Sequence, residues 1–410
     1  MELLGELCYC TPMKLTGKPL VFAMCVGQVG NLLPHVVVPA VMAQYLIPEW
    51  HLTASEAGLM ASCFAIGYAL AVPALTALTD RLDARMILLV GSLVSGLATL
   101  AFGLFAVDLY SAMLIWGLAG IGFAGAYMPG LKALTDRLGG ELSRSVTLYT
   151  ASFSLGVGLS FLIAQLAADQ FGWRWAFYLT ALGPLAMIAA CVVMAPVHPV
   201  RSERRLFDFK PVFRNRAALG YILGYGAHCF ELYALRTWIV AFWAYVAARN
   251  GGPALLEPMT VSVIAAVLAM PSSVAGNEAA IRFGRHRAIV AFMCAAGLVA
   301  TLLGIATDAS PSVLLVLLLV YSVAIPADSG ALTSGMTTSA EPAYRGATMA
   351  LHSTVGFGLS AVGGWAVGIA LDAGGGMDAP SGWLAAFVVM AVGGLLGPLA
   401  LWWSRRVSAN

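Results

Sequence analysis

Apolar residues run through this chain in blocks rather than in an alternating or amphipathic pattern, and one long block follows another with short polar gaps. A helix needs about 20 mostly apolar residues to cross a bilayer. The pattern predicts twelve such helices, near 20–46, 56–78, 86–107, 110–131, 145–168, 174–195, 217–247, 259–280, 287–307, 312–337, 346–371 and 382–403. The runs are continuous, whereas the strands of membrane barrels alternate, so a transmembrane β-barrel is excluded. No gap is wide enough for a soluble domain.

Composition agrees with the pattern: of 410 residues, 60% are hydrophobic and 10% charged, and mean hydropathy is +0.86. A formal net charge of +2 leaves no basic surface that suggests a nucleic-acid partner. The placement of charge says more than its total. All Lys and Arg except Arg174, Arg236 and Arg249 fall on one side if the first helix runs outward from an inner N-terminus. By the positive-inside rule both termini are then cytoplasmic, and the expected location is the cell (inner) membrane. The start, Met1-Glu2-Leu3-Leu4-Gly5-Glu6, lacks a basic n-region, so no cleaved signal peptide is expected. Seven scattered cysteines form no disulfide framework, and Cys8-Tyr9-Cys10 has no partner motif for a metal.

The chain reads as two copies of one unit. Gly156-Val157-Gly158-Leu159-Ser160 recurs as Gly356-Phe357-Gly358-Leu359-Ser360, and Gly172-Trp173 with Ala176-Phe177 recurs as Gly382-Trp383 with Ala386-Phe387. Between them Pro129 with Leu134-Thr135 matches Pro326 with Leu332-Thr333, and Arg144-Ser145 matches Arg345-Gly346. The later offset is longer, which places an insertion in the Gly374-Gly375-Gly376 loop. The expected organisation is a six-helix bundle over 1–198, a linker over 199–216 with a run of basic residues, and a second bundle over 217–410.

Loop residues add a second signal. Asp80, Arg81 and Arg85 follow the second helix, and Arg282, Gly284 and Arg285 follow the eighth. Trp173-Arg174-Trp175-Ala176-Phe177-Tyr178 opens the sixth. In these residues the chain resembles the major facilitator superfamily over essentially its whole length, and His228-x-x-Glu231-Leu232 with Arg236-x-Trp238 is similar to a bacterial branch of it. The first loop departs from that family's pattern at Thr76, Asp83 and Ala84, and the second lacks the acid. The resemblance implies an all-α fold of two six-helix pseudo-repeats that works by alternating access, with no cofactor and no enzymatic reaction. It also implies that the two loops act as a cytoplasmic gate, in which Asp80 pairs with Arg81 or with neighbouring basic groups when the inner side closes.

Ionisable side chains at a helix centre cost about 2.5 to 3.5 kcal/mol on insertion scales, so those retained are candidates for the transport path. They are His228, Glu231 and Arg236 in the seventh helix and Asp328 in the tenth, joined by Gln28, Asn31 and His35 in the first. Trp116, Tyr127 and Tyr233 complete the candidate set. The resemblance implies that helices one, four, seven and ten line the central cavity. His228 and Glu231 are three apart and are expected to share a face, where they can exchange a proton. Arg236 offers a two-pronged contact to an anion. Trp116 stands where many proton antiporters of the family carry an arginine, which speaks against the usual antiport chemistry.

Gly120-Ile121-Gly122-Phe123-Ala124-Gly125 matches the dinucleotide fingerprint, but it lies in an apolar helix with no preceding strand and reads as helix packing. No phosphate loop, H-E-x-x-H or G-x-S-x-G occurs. The expected function is secondary active transport of a small solute, as proton-coupled uptake of a small organic or inorganic anion by a chain that works as a monomer. The alternatives are proton-driven efflux of an amphipathic drug or metabolite, and a transporter-like sensor or assembly factor; the short stretch after Trp403 disfavours the sensor.

Overall fold

The computed structural model describes residues 14–138, 142–197, 209–251, 255–341 and 344–406; the Cys8–Cys10 pair and most of the basic linker lie outside them. The described residues are almost wholly helical, with one isolated bridge between Leu15 and Met194.

Among the described residues ten helices are long and apolar enough to cross a membrane: α2 (Ala54–Leu78), α3 (Ala84–Phe105), α4 (Leu109–Thr135), α5 (Leu142–Phe171), α6 (Trp173–Val193), α8 (Pro258–Phe283), α9 (Arg285–Ile305), α10 (Pro311–Ser339), α11 (Arg345–Ala373) and α12 (Pro380–Arg406). An eleventh span, α1, is broken: Gly17–Leu32 and Val37–Trp50 meet at 48°. Pro34 sits in the break, and a π turn at Met42–Leu46 follows Pro39; proline removes a backbone donor and crowds the preceding turn. The remaining long helix, α7 (Arg216–Arg249), has 34 residues, about 51 Å at 1.5 Å each, and carries His228, Glu231 and Arg236. These segments accord with the twelve predicted from the apolar runs.

Caps mark the helix starts. Thr53 accepts from Glu56 N while Glu56 accepts from Thr53 N, and Asp108 and Ser111 form the same reciprocal box at α4. Asn215 opens α7, accepting from Ala218 N and donating to Ser339 O at 2.7 Å, so it also ties α7 to the end of α10. In α10 the helix tightens to a 3-10 turn over Ile325–Asp328, at Pro326.

Small residues bring the helices together, as expected where lipid gives no hydrophobic drive for association. Gly120 lies against the Phe64 carbonyl and Gly122 against Ser95, so the glycine motif of α4 is helix packing. Across the molecule α2 packs on α11: Ser62 Oγ donates to Ala361 O at 2.7 Å, Trp238 Nε1 of α7 donates to Gly364 O at 2.8 Å, and Tyr68 stacks on Phe357 at 3.7 Å. At the end away from the basic loops, Asp372 of α11 accepts from Ala54 N and Ser55 N at the start of α2, at 3.0 and 2.8 Å. On the other flank Gln165 of α5 donates to Ser262 of α8 at 3.1 Å. That end is therefore shut. Outward-facing Phe22, Leu70, Leu114 and Val316 remain exposed, as lipid-facing positions should.

Candidate transport site

A cavity of about 770 Å³ runs from Val146, Thr337 and Thr338, near the basic-side ends of α5 and α10, up to Arg236. Serines and threonines of α5, α8 and α10 form one wall, and Phe153, Tyr127, Tyr233 and Phe357 form the upper part. It is open toward the basic loops and shut at the other end.

Arg236 stands at the head of this cavity, 9% exposed. Its guanidinium carbon lies 5.2 Å from the Tyr233 ring and 5.9 Å from the Phe153 ring. No carboxylate pairs with it among the described residues. A cation buried without a counter-charge is costly, and an arriving anion would remove that cost.

About two turns below, His228 and Asp328 meet: Nδ1 and Oδ1 are 2.6 Å apart, and both side chains are buried. The 3-10 turn at Pro326 carries Asp328 to α7. Tyr225 lies parallel to the His228 ring and stacks at 3.8 Å on His352 of α11.

Glu231 goes elsewhere. The expectation that it shares a proton with His228 is not met, since Glu231 accepts a hydrogen bond from Tyr321 at 2.8 Å and approaches Gly394, between α10 and α12. It does not line the cavity. The spacing that puts two residues on neighbouring sides of a helix leaves a wide angle between them, and the neighbouring helices divide it.

The first helix is a second correction to what the resemblance implied. Gln28, Asn31 and His35 are buried, and none lines the cavity. Tyr149 donates to Gln28 Oε1 at 2.8 Å and Asn31 donates to Ser92 at 3.0 Å, so both serve contacts with α5 and α3. His35, turned by the bend at Pro34, packs among Phe64, Phe123, Phe153 and Tyr233. Trp116 is fully buried against Phe64, Phe102 and Phe177 and also misses the cavity. Tyr127 and Tyr233 do line it, and α5, α8 and α11 contribute walls that the implied helix set left out.

The loop after α2, expected to form part of a gate, is organised by a different acid. Asp80 and Arg81 are exposed and without an ion-pair partner among the described residues. Asp83 instead accepts both contacts of Arg137 Nη2, at 2.8 and 2.9 Å, and the backbone N–H groups of Arg85 and Val197. Partial burial alone would raise its pKa, but these hydrogen bonds and the Arg137 charge outweigh it and hold the carboxyl below its ordinary value. Arg85 donates to Met194 O and Arg137 to Ala195 O, so the loop clasps the ends of α4 and α6. In the second loop Arg285 donates to Ser334 and Thr338 of α10, both at 3.0 Å, while Gly284 takes a φ of +93° that favours glycine. Arg282 makes an exposed pair with Glu278, a contact of little energetic weight. Asp83 was legible as a cap, an acid directly before a new apolar run. Tyr321, Phe153 and Asp372 carried no such signal.

The family model described as Major Facilitator Superfamily matches residues 24–364. The crystal structure of a bacterial homolog to the human lysosomal transporter Spinster, inward-facing and occupied, superposes with a TM-score of 0.76 at 18% identity, covering 95% of this chain and 96% of that one. A variant of the nucleoside transporter NupG gives 0.72 at 12% identity, covering 94% and 99%. In sequence, the "Probable sphingolipid transporter spinster homolog 1" of Arabidopsis thaliana is 24% identical over 151 residues, which span 36% of this chain and 30% of that protein. With a matching family model over most of its length and this helical architecture, the chain belongs to the Major Facilitator Superfamily and is a multi-pass membrane protein of that transporter family.

Proposed function

We propose that this protein carries an organic anion across the cell membrane by alternating access, coupled to protons, with Arg236 as the anion anchor. The observation that supports this reading best is the buried guanidinium at the head of the cavity, which has no carboxylate partner among the described residues. Because the cavity is large and its upper wall aromatic, we favour an anion with an apolar body over a bare inorganic ion. In this reading the bundles 1–198 and 217–410, joined by 199–216, rock about the cavity in a functional monomer. Both termini and the basic loops are cytoplasmic, which makes the present state inward-facing.

The proton role passes from Glu231 to the His228–Asp328 pair, which reaches the cavity where Glu231 does not. In uptake, the anion and a proton enter together. Export of an amphipathic metabolite is the second reading, favoured by the aromatic wall and by the relatives named for Spinster and sphingolipid transport.

Proteoliposomes with a pH gradient of either sign, supplied with an aryl carboxylate and an aryl phosphonate, test both. Accumulation that follows an inward proton gradient and is lost in Arg236→Gln supports uptake. Flux driven only against the proton gradient supports export. Equal loss of a neutral analogue and the anions in Arg236→Lys would remove the anchor role, because a lysine keeps the charge but not the fork.

A further inference from the structure

A second guanidinium stands at the open end of the cavity. Arg285, at the start of α9, is partly exposed and spreads its fork over two hydroxyls of α10: Nη1 donates to Thr338 Oγ1 and Nη2 to Ser334 Oγ, both at 3.0 Å. Ser334 and Thr338 are wall residues of the cavity, and Ser329, Thr333 and Thr337 carry the line of hydroxyls inward along the same helix. Hydroxyls fix a guanidinium in place without cancelling its charge. Lys132, Arg137 and Arg282, on the same side of the molecule, each face a carboxylate, of Asp136, Asp83 and Glu278 in turn. Arg285 meets no carboxylate among the described residues, and two of its five N–H donors are used there.

We infer that Arg285 is a second anion station, at the basic-side mouth of the cavity, through which the carried oxyanion passes between Arg236 and the cytoplasm. The inference rests on the anion reading for what is carried, but the station itself does not need Arg236 as its anchor. Arg236 lies eight residues beyond His228, about 12 Å along α7, and Thr338 lies ten residues from Asp328 in the opposite direction, about 15 Å along α10. The two guanidinium groups are therefore about 27 Å apart along the molecule, several times the ~8 Å reach of a charge in physiological salt. One small anion cannot touch both, and each charge acts alone. At the mouth, a fixed cation beside low-dielectric walls focuses the field, raises the local concentration of anions and repels cations. Arg285 thereby helps select the sign of what enters from that side, while its exposure keeps the hold weak enough for release.

The test reads the charge at the mouth with thiol reagents, so that it needs no known solute. In the detergent-purified full chain carrying Thr333→Cys, a position exposed on the cavity wall, the rate of modification at 333 is followed by peptide mass at low ionic strength. The reagents are the anionic 2-sulfonatoethyl methanethiosulfonate and the neutral methyl methanethiosulfonate. The neutral rate reports access alone, so a folding or gating defect slows both and cancels in their ratio. Arg285→Gln should lower the anionic-to-neutral ratio at least about fivefold, an effect that added salt shrinks. Arg285→Lys keeps the charge without the fork and should stay within about twofold of the parent, as should Arg236→Gln and the exposed neighbour Arg287→Gln. An unchanged ratio in Arg285→Gln, a drop as large in Arg285→Lys, or an equal drop in Arg287→Gln overturns the station. In proteoliposomes Arg285→Gln should raise the KM for the aryl carboxylate presented on that side about fivefold and leave the maximum rate within about twofold, and an unchanged KM takes Arg285 off the transport path. Absence of aryl carboxylate flux in the wild type would count against the anion reading instead, because the reagent ratios decide the station by themselves.

Discussion

His228 and Asp328 face each other at 2.6 Å across α7 and α10, while Glu231, one turn along α7, is held by Tyr321. The two acids thus have different partners, and the proposed reading gives them different work. Asp328→Asn should abolish proton-driven accumulation and leave substrate exchange within a few-fold of wild type, measured in proteoliposomes with and without a pH gradient. Loss of exchange as well would make the pair structural.

Glu231 is expected to matter for stability more than for coupling. Tyr321→Phe removes the hydroxyl that bonds the buried Glu231 carboxyl group, and should cost about 1 to 3 kcal/mol, seen as a lower Tm in detergent. Glu231→Gln retains an acceptor for Tyr321 and should still accumulate substrate on a proton gradient; failure to do so would return the proton role to Glu231.

The Asp83 clasp gives a pH dependence. Its folded pKa lies below the ordinary value of 3.8, so its contribution is present above the unfolded pKa and is lost as pH falls through the folded one. Asp83→Asn should therefore lower Tm at pH 7 by an amount worth about 1 to 3 kcal/mol and flatten the acid limb below about pH 4, whereas Asp80→Asn should leave both unchanged. A matching drop in Asp80→Asn would contradict the geometry.

Asp372 caps the first N–H groups of α2 across the interface with α11. Asp372→Ala should release that end and populate the state open on the far side. Spin labels on exposed Val107 and Leu255, both at that end, should then show a longer distance by pulsed resonance; an unchanged distribution would reduce the contact to a helix cap.

Gly120 is a packing residue. A Cβ there would strike the Phe64 carbonyl, which is backbone and cannot step aside without moving α2. Gly120→Ala should cost about 1 to 3 kcal/mol, a loss of thermal stability unaccompanied by any change in nucleotide binding.

Much of the fold was legible because a bilayer imposes a strong, local constraint. Twenty apolar residues in a row have few other uses, and a missing backbone partner in lipid is too costly to leave. Breaks were legible only in part: Pro34 and Pro326 are visible, but the bend at one and the 3-10 turn at the other depend on what packs beside them. The gate illustrates the limit. Asp80 matches the family's loop, yet the chain turns so that Asp83 meets Arg137, 54 positions away, and Asp80 is left in the open.

By itself the sequence determined the spans, their repetition, the side that carries the basic residues, and the few ionisable groups placed in the membrane. Each of these follows from transfer free energy along a local stretch of chain. Tertiary structure alone decided partners: Asp328 for His228, Tyr321 for Glu231, aromatic rings but no carboxylate among the described residues for Arg236, and an aromatic cage for His35. The physical reason is that spacing along a helix fixes only the direction in which a side chain leaves it. Which neighbour stands there depends on how helices far apart in sequence are bent and packed.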